Sequence, residues 1–373
     1  MPIVAQNLTA AEKLAAVGDQ PDAPGPLATD LSPALTHAAI AKAMRRVGDW
    51  ELRRSRTSFN QDWTFATLYA GMMAASDTLH EAKYRKALLD AGRSFQWNLG
   101  ARQSHADDQA VAQTYLDLYL YSHDPAMMAP TKTAFDTLME APDDPEKPLW
   151  WWSDALFMAP PVWARLYRAT GNSAYFNYMN REWWITSSHL YDEREHLYFR
   201  DAGYLDKKEA NGKGTYWSRG NGWVMAGLVR VLAYMPAGYP DRGKYIAQYR
   251  EMAAKLVSIQ SEDGLWRPGL MDAAAYKLPE TSGSAFFVYA LAWGVNNGVL
   301  DRAIYLPAIR KGWSGLLAHT YADGRFGCVQ PVGEKPGNYK PSASSVFGVG
   351  AFLLAGSEVY RLSDRPKHTE VPH

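Results

Sequence analysis

The stretch of this chain best suited to chemistry is a run of three tryptophans followed by a carboxylate: Trp150, Trp151, Trp152, Ser153 and Asp154. An aspartate among indole rings is partly withdrawn from water, which raises its pKa and favours the protonated form that a general acid needs. Each indole also offers a flat apolar face suited to a sugar ring or to a protein core. The structural alternative is that Ser153 or Asp154 caps the helix that begins here. The stretch alone leaves both interpretations open.

A second pair of carboxylates, Asp107 and Asp108, stands at the start of another predicted helix. One of the two can serve only to complement the helix dipole. A carboxylate that faced Asp154 across a pocket would instead complete the two-acid arrangement on which glycoside hydrolysis commonly depends. We predict this catalytic role for Asp108 and a substrate contact for Asp107.

Segment 217–223 reads Trp-Ser-Arg-Gly-Asn-Gly-Trp and combines charge, glycine and aromatic rings. Arg219 carries a permanent charge and forked donors that suit a carboxylate, and Trp217 and Trp223 can stack on a sugar. The alternative is a helix N-terminus in which Arg219 makes a structural ion pair. His189, at the end of a predicted helix, either bonds a substrate or caps the last carbonyl groups.

Helices must position these side chains, because the sequence shows almost no convincing strand pattern. Twelve helices are predicted, a first and a last with five pairs between them: 32–54, 62–79, 81–97, 108–121, 127–140, 153–170, 173–188, 220–234, 241–261, 281–296, 302–319 and 342–362. Six of them are apolar all round, and their partners are amphipathic. This alternation predicts an all-α (α/α)6 barrel, in which six outer helices wrap six inner ones. An open helical solenoid is the alternative.

In a double ring of this kind the N-termini of the inner helices converge at one mouth. Capping explains the serines and threonines at these starts, but not the tryptophans, the arginine, the histidine or the doubled aspartate. Trp63 begins the first inner helix and is therefore added to the predicted substrate contacts. We expect these side chains to meet in one pocket.

Composition argues against several classes of function. The net charge is zero and the pI is near 7.1, so no general attraction to nucleic acid or to acidic membranes is expected. No apolar run approaches the roughly 20 residues that a membrane span requires. The lone Cys328 excludes an internal disulfide and a cysteine cage for a metal. The histidines lack metal-binding spacings, and no Gly-x-Ser-x-Gly elbow is present, so we expect neither a metal nor another cofactor.

The chain is expected to form one catalytic domain, residues 32–362, after a flexible lead-in at 1–31 and before a tail at 363–373. Val4 and Ala5, before Gln6, resemble the end of a signal-peptide cleavage region. A processed signal would place the protein in the periplasm or outside the cell, and without one it would be cytoplasmic. Both a monomer and a homodimer fit the sequence.

Four motifs together resemble glycoside hydrolase family 105, the unsaturated rhamnogalacturonyl hydrolases, which are related to the unsaturated glucuronyl hydrolases of family 88. The motifs are Trp152-Ser-Asp154, the segment from Tyr216 to Trp223, Glu280-Thr-Ser-Gly-Ser284 and Gly327-Cys-Val-Gln-Pro331. The resemblance covers residues 35–362 and implies an (α/α)6 barrel. Segment 198–215 does not align with the family and is expected to shape the entrance.

The resemblance also implies a reaction. The family removes a 4,5-unsaturated uronic acid from the non-reducing end of oligosaccharides left by a polysaccharide lyase, by hydrating the C4=C5 vinyl ether. Asp154 would be the general acid and base, and Asp108 the second essential carboxylate. The residues implied to hold the uronate are Arg219, Trp223, Trp217, Trp152 and His189. Rhamnose is the leading neighbouring sugar, with glucosamine-type and ulvan-type partners open.

Two other functions remain compatible with the residues. A polysaccharide lyase on the same barrel would create the unsaturation, by abstracting the C5 proton with a tyrosine, histidine or lysine. A non-catalytic carbohydrate-binding barrel would use the aromatic mouth without chemistry. The paired carboxylates favour the hydrolase, because a pure binding protein has no need of a buried acid.

Overall fold

The computed structural model describes residues 9–140, 144 and 147–363. The cleavage region expected at Val4 and Ala5 and the tail expected beyond Ser363 lie outside the described residues. In the described part, the α-helices are α1 Ala10–Val17, α2 His37–Ser55, α3 Trp63–Leu79, α4 Ala82–Ser94, α5 Ala106–Gln109, α6 Ala112–Ser122, α7 Ala129–Met139, α8 Ala155–Met158, α9 Pro160–Thr170, α10 Ser173–Leu190, α11 Ser218–Leu232, α12 Arg242–Ser258, α13 Thr281–Asn296, α14 Arg302–Ala318 and α15 Val346–Ser363. None of these helices is long and apolar enough to cross a membrane.

Six helices form a closed inner ring in the order α3, α6, α9, α11, α13 and α15. Each packs against the next, and α15 returns to pack against α3, which an open solenoid would not allow. Every residue of α11 and α13 is buried, as expected for helices surrounded on all sides. The remaining long helices lie outside, with α4 against α3, α10 against α9 and α14 against α13. The prediction of an (α/α)6 barrel is confirmed.

The ring closes where α3 and α15 cross at glycines. A Cβ atom on Gly71 would lie 2.4 Å from the carbonyl oxygen of Gly350, and one on Gly350 would lie 2.3 Å from that of Thr67. Both separations are far below van der Waals contact. Glycine at these two positions therefore lets the backbones of the first and last inner helices meet.

Two predicted helices are divided in the structure. The helix predicted at 153–170 becomes α8 and α9, because Pro160 and Pro161 lack the amide hydrogen that a continuing helix needs and instead begin α9. The helix predicted at 108–121 becomes α5 and α6. At the start of α6 the amides of Gln113 and Thr114 bond to the carbonyls of Ala110 and Val111, three residues back, which tightens the turn between the two helices.

The strands are short and lie outside the ring: β1 Gly18–Asp19, β2 Tyr191–Asp192, β3 Leu197–Tyr198 and β4 Ser344–Ser345. β1 pairs antiparallel with β4, and Asp19 makes an ion pair with Arg325. Further along the chain, Leu27 forms a bridge with Tyr321. Part of the lead-in is thus held against the barrel where a flexible segment was expected. The domain limits at 32 and 362 stay predictions.

Candidate active site

Asp154 stands immediately before α8, at the end of the barrel where the inner helices begin, which we call the mouth. Its side chain caps no helix amide, so the capping interpretation of this residue is wrong. The hydroxyl of Ser153 donates to its Oδ1 at 3.3 Å. Burial raises the pKa of Asp154 to about 6, against the opposing charges of Arg200 and Arg219. The group is therefore a protonated acid in mildly acidic solution.

Asp107 is electrostatically coupled to Asp154. It lies in the first turn of α5 with its side chain 21% exposed. Burial and then the negative charge of Asp154 raise the pKa of Asp107 to about 7. Because the two carboxyl groups interact, they lose their protons as a pair over the range of about pH 6 to 7. The two carboxyl groups together retain a proton up to about neutral pH.

Asp108 has a different environment from that of its neighbour. Its Oδ2 accepts a bond from the backbone amide of Arg102 at 2.7 Å, and its Oδ1 accepts one from Nη2 of the same residue at 2.6 Å. The backbone carbonyl of Asp108 also accepts a bond from the amide of Gly100. These bonds fix the loop before α5. The structure thus couples Asp107 to Asp154 and holds Asp108 in an ion pair with Arg102. The catalytic role of Asp108 and the substrate contact of Asp107 stay predictions.

Arg219 is buried, with its side chain 1% exposed. Nη1 donates to the carbonyl of Gln330 at 2.5 Å and Nη2 to that of Pro331 at 2.8 Å. Glu280 lies 3.7 Å from Nη1, and the guanidinium packs over the ring of Trp217. Since both terminal nitrogens bond to backbone carbonyls, this geometry matches the structural ion pair rather than the predicted grip on a uronate.

Trp217, Trp223 and Trp63 lie at or near the N-terminal ends of α11 and α3, at the mouth. Trp217 is buried, and its Nε1 donates to the side chain of Gln330 at 3.1 Å. Trp223 is fully buried and lies 4.5 Å, between ring centres, from Phe286. Trp63 is partly exposed and meets Trp223 edge to face at 5.9 Å. Of these three predicted contacts, only Trp63 presents a partly exposed ring.

The three consecutive tryptophans have different environments. Trp150 is fully buried. Trp152 is 3% exposed and packs against the imidazole of His105, with the ring centres 4.8 Å apart. Trp151 is 49% exposed. Trp151 is therefore the accessible indole of the three, and the sugar contact predicted for Trp152 stays a prediction.

His189 lies exposed at the C-terminal end of α10. This end of α10 contacts the tryptophan stretch, because the Thr186 hydroxyl donates to the carbonyl of Trp150 at 2.8 Å. The predicted substrate contact thus lies on a helix end that borders the site.

Arg200 and Asp201 were missed by sequence reasoning, although they fall in segment 198–215, which was expected to shape the entrance. The amide of Ser153 donates to the carbonyl of Arg200 at 2.8 Å, and Trp152 forms a bridge with Asp201. Nη1 of Arg200 donates to Asp201 at 2.6 Å. The only sequence signal was a charged pair between aromatic residues, which indicates no partner.

The site within the described residues consists of acids, arginines and aromatic rings. Among those residues, no group of three or more histidine, cysteine, aspartate or glutamate side chains is arranged to hold a metal ion. The predicted cofactor-free chemistry stays a prediction. What the arrangement can do is donate a proton from a half-buried carboxyl to a ligand that packs against indole rings.

Comparison with known proteins places this site in a family. The sequence model of glycosyl hydrolase family 88 matches residues 37–363. An unsaturated 3S-rhamnoglycuronyl hydrolase from Formosa agariphila is 36% identical over 349 residues, which cover 88% of this chain and 93% of that relative. A glycosyl hydrolase family 88 structure from Bacteroides vulgatus is 32% identical, with a TM-score of 0.82, and covers 87% of this chain and 99% of its own.

A further solved structure, named as a polysaccharide lyase, is 33% identical, with a TM-score of 0.84, and covers 89% of this chain and 99% of its own. The family match begins with α2 and ends with α15, so it includes the whole ring that positions Asp154. The resemblance predicted from the four motifs is confirmed. The chain is a glycosidase and belongs to glycosyl hydrolase family 88.

Proposed function

We propose that this enzyme removes a 4,5-unsaturated glycuronyl residue from rhamnose-containing oligosaccharides. The observation that carries the proposal is the half-buried pair of Asp154 and Asp107, with pKa values raised to about 6 and about 7 in an aromatic mouth. The name of the Formosa relative supports rhamnose as the neighbouring sugar and sulfation of that sugar as a feature to test.

The chemistry follows from a neutral acid beside an electron-rich alkene. Asp154 donates its proton to C4, and positive charge develops at C5 and the ring oxygen. Water then adds at C5 and returns a proton to the Asp154 carboxylate. The product is a hemiketal, which rearranges to an open-chain keto form and releases the neighbouring sugar. We assign the second carboxyl role to Asp107, because its charge is coupled to that of Asp154.

The test is the loss of alkene ultraviolet absorbance from lyase-generated disaccharides. Asp154→Asn is expected to lower kcat by about a hundredfold or more, because general acid catalysis contributes that much, while substrate binding persists. Asp90→Asn, at an exposed ion pair on α4, is the matched control. A panel of rhamnose, 3-sulfated rhamnose and glucosamine neighbours identifies the preferred sugar. Near-normal turnover by Asp154→Asn would overturn the assignment.

A second candidate is a polysaccharide lyase, because one similar solved structure carries that name. A lyase creates the alkene, so absorbance would rise on intact polymer and stay constant on lyase-treated oligosaccharides. The hydrolase gives a fall in absorbance on the treated oligosaccharides and no change on the intact polymer.

We also propose a location in the periplasm or outside the cell if a signal sequence is processed, and in the cytoplasm otherwise. N-terminal sequencing of the protein from its native source tests this. Light scattering of the purified protein distinguishes the monomer from the homodimer.

A further inference from the structure

We propose that Arg200 binds the carboxylate of the unsaturated uronate while Asp154 protonates the sugar ring. The assignment rests on the proposed function and moves the carboxylate contact from Arg219 to a residue that the sequence did not single out. It follows from where the structure places Arg200, which of its donors are occupied, and where a uronate carries its charge.

Arg200 is fixed directly beside the acid. Its carbonyl accepts the amide of Ser153 at 2.8 Å, and the next residue, Asp201, bridges to Trp152. Two short chain segments are thus joined side by side, one carrying Arg200 and the other carrying Asp154. These backbone bonds fix the main chain of Arg200 relative to Asp154, and the bond from Nη1 to Asp201 orients its guanidinium.

The donors of Arg200 are only partly used. Nη1 donates to Asp201 at 2.6 Å, Nε is buried without a hydrogen-bond partner among the described residues, and Nη2 bonds to none of them. The side chain is 17% exposed, against 1% for Arg219, whose Nη1 and Nη2 bond to backbone carbonyls. Of these two arginines, Arg200 has a terminal nitrogen to offer a ligand.

The chemistry of the substrate favours a cation next to Asp154, where the uronate carboxylate would lie. The carboxylate carbon is bonded to C5, which is adjacent to C4, so a uronate that presents C4 to Asp154 brings its carboxylate close to the acid. A planar guanidinium suits that group. The guanidinium carbon of Arg200 also lies 5.5 Å from the ring centre of Trp151, whose indole is 49% exposed. Charge recognition and an aromatic surface are therefore adjacent.

This placement links binding to proton donation. The charge of Arg200 is the largest influence that lowers the pKa of Asp154 against the effect of burial. A bound carboxylate would offset that charge, so the acid would hold its proton to higher pH in the complex than in the free enzyme. The fall of kcat at high pH reports the enzyme–substrate complex, and the fall of kcat/KM reports the free enzyme. The fall of kcat should therefore occur at a higher pH than the fall of kcat/KM.

The experiment compares an unsaturated glycuronyl disaccharide with its methyl ester, which removes the charge. We expect the wild type to prefer the acid by about 10- to 100-fold in kcat/KM, the range for a hydrogen bond to a charged group. Arg200→Gln should lose this preference, and its kcat and kcat/KM should fall at the same pH. Arg200→Lys should recover part of the acid preference and part of the pH difference. Arg194→Gln, at an exposed arginine in the turn between β2 and β3, should behave as the wild type.

The outcomes separate the inference from the proposed function. An acid preference that survives in Arg200→Gln overturns the role of Arg200 while the wild type still consumes the alkene. If Arg200→Gln keeps the acid preference but loses a preference for a sulfated neighbouring sugar, the proposed role of Arg200 is also overturned, because Arg200 would then bind sulfate. A wild type that consumes neither disaccharide overturns the proposed function itself. Thermal unfolding of each variant identifies loss of the fold, and Arg200→Lys, if folded, then decides the inference.

Discussion

Replacing Asp107 with asparagine is expected to make the protein more stable at alkaline pH and little different at acidic pH. Asp107 has its pKa raised from 3.8 to about 7, chiefly by burial. A carboxyl with a raised folded-state pKa binds its proton more tightly in the folded chain than in the unfolded one. The free energy of unfolding is therefore highest below the unfolded pKa, falls as pH rises from about 4 to about 7, and stays low above that.

The magnitude follows from the shift. A rise from 3.8 to about 7 corresponds to roughly 4 kcal/mol of stability lost at alkaline pH. For a chain of 373 residues, the entropy of unfolding is roughly 0.8 kcal/mol per kelvin. Asp107→Asn should therefore raise Tm by up to about 5 °C at about pH 9, and by little at about pH 4, where the wild-type carboxyl is protonated in the folded state.

Thermal unfolding at the two pH values measures the effect, and Asp108→Asn is the matched control. Asp108 accepts bonds from the amide, Nε and Nη2 of Arg102, so weakening that ion pair should lower Tm. A Tm gain in Asp107→Asn of the same size at both pH values would refute the reasoning, because the gain would then have nothing to do with ionisation. A gain in Asp108→Asn instead would show that the two neighbours had been assigned the wrong way round.

Two further predictions concern activity. The kcat/KM of the wild type should fall as pH rises through the range of about 6 to 7, because the pair of Asp154 and Asp107 loses its protons there, and a rate that rises through this range would contradict an acid role. Trp151→Ala should raise KM by roughly threefold to tenfold with Tm nearly unchanged, since the indole is 49% exposed. Trp150→Ala, at a fully buried ring, should instead lower Tm markedly. The same KM and Tm in the two variants would contradict the roles of Trp151 as a substrate contact and of Trp150 as a core residue.

The fold could be predicted from the sequence because its signals are local. Apolar runs at helical spacing and the alternation of buried with amphipathic helices need no knowledge of distant contacts. The prolines also indicate the division at Ala159 and Pro160, although the predicted helix continued across it. Ring closure could not be predicted from the sequence. It depends on Gly71 of α3 meeting Gly350 of α15, a contact between the two ends of the barrel.

The roles of individual site residues could be predicted less well, because they depend on small differences in direction. Asp107 and Asp108 are adjacent, and neighbouring positions on a helix point about 100° apart. Only the position of Arg102 shows which carboxylate is held in an ion pair. Trp151 and Trp152 differ in the same way. Burial rather than charge likewise separates Arg219 from Arg200, and burial is fixed by distant segments such as the one containing Gln330.

The environment that raises the pKa of Asp154 also affects how strongly the site stabilises the transition state. Before the reaction the half-buried acid is neutral, which the aromatic surroundings favour. Once the proton moves to C4, a carboxylate lies beside a ring whose C5 and ring oxygen carry positive charge, and the two charges attract each other in a region of low dielectric. The environment that discourages ionisation in the free enzyme thus strengthens this attraction in the transition state, which is how a site stabilises the transition state more than the ground state. The charge of Arg200 lowers the pKa of Asp154 in the free enzyme. A substrate carboxylate that offset this charge would therefore raise the pKa of Asp154 on binding and keep the acid neutral until the proton moves to C4.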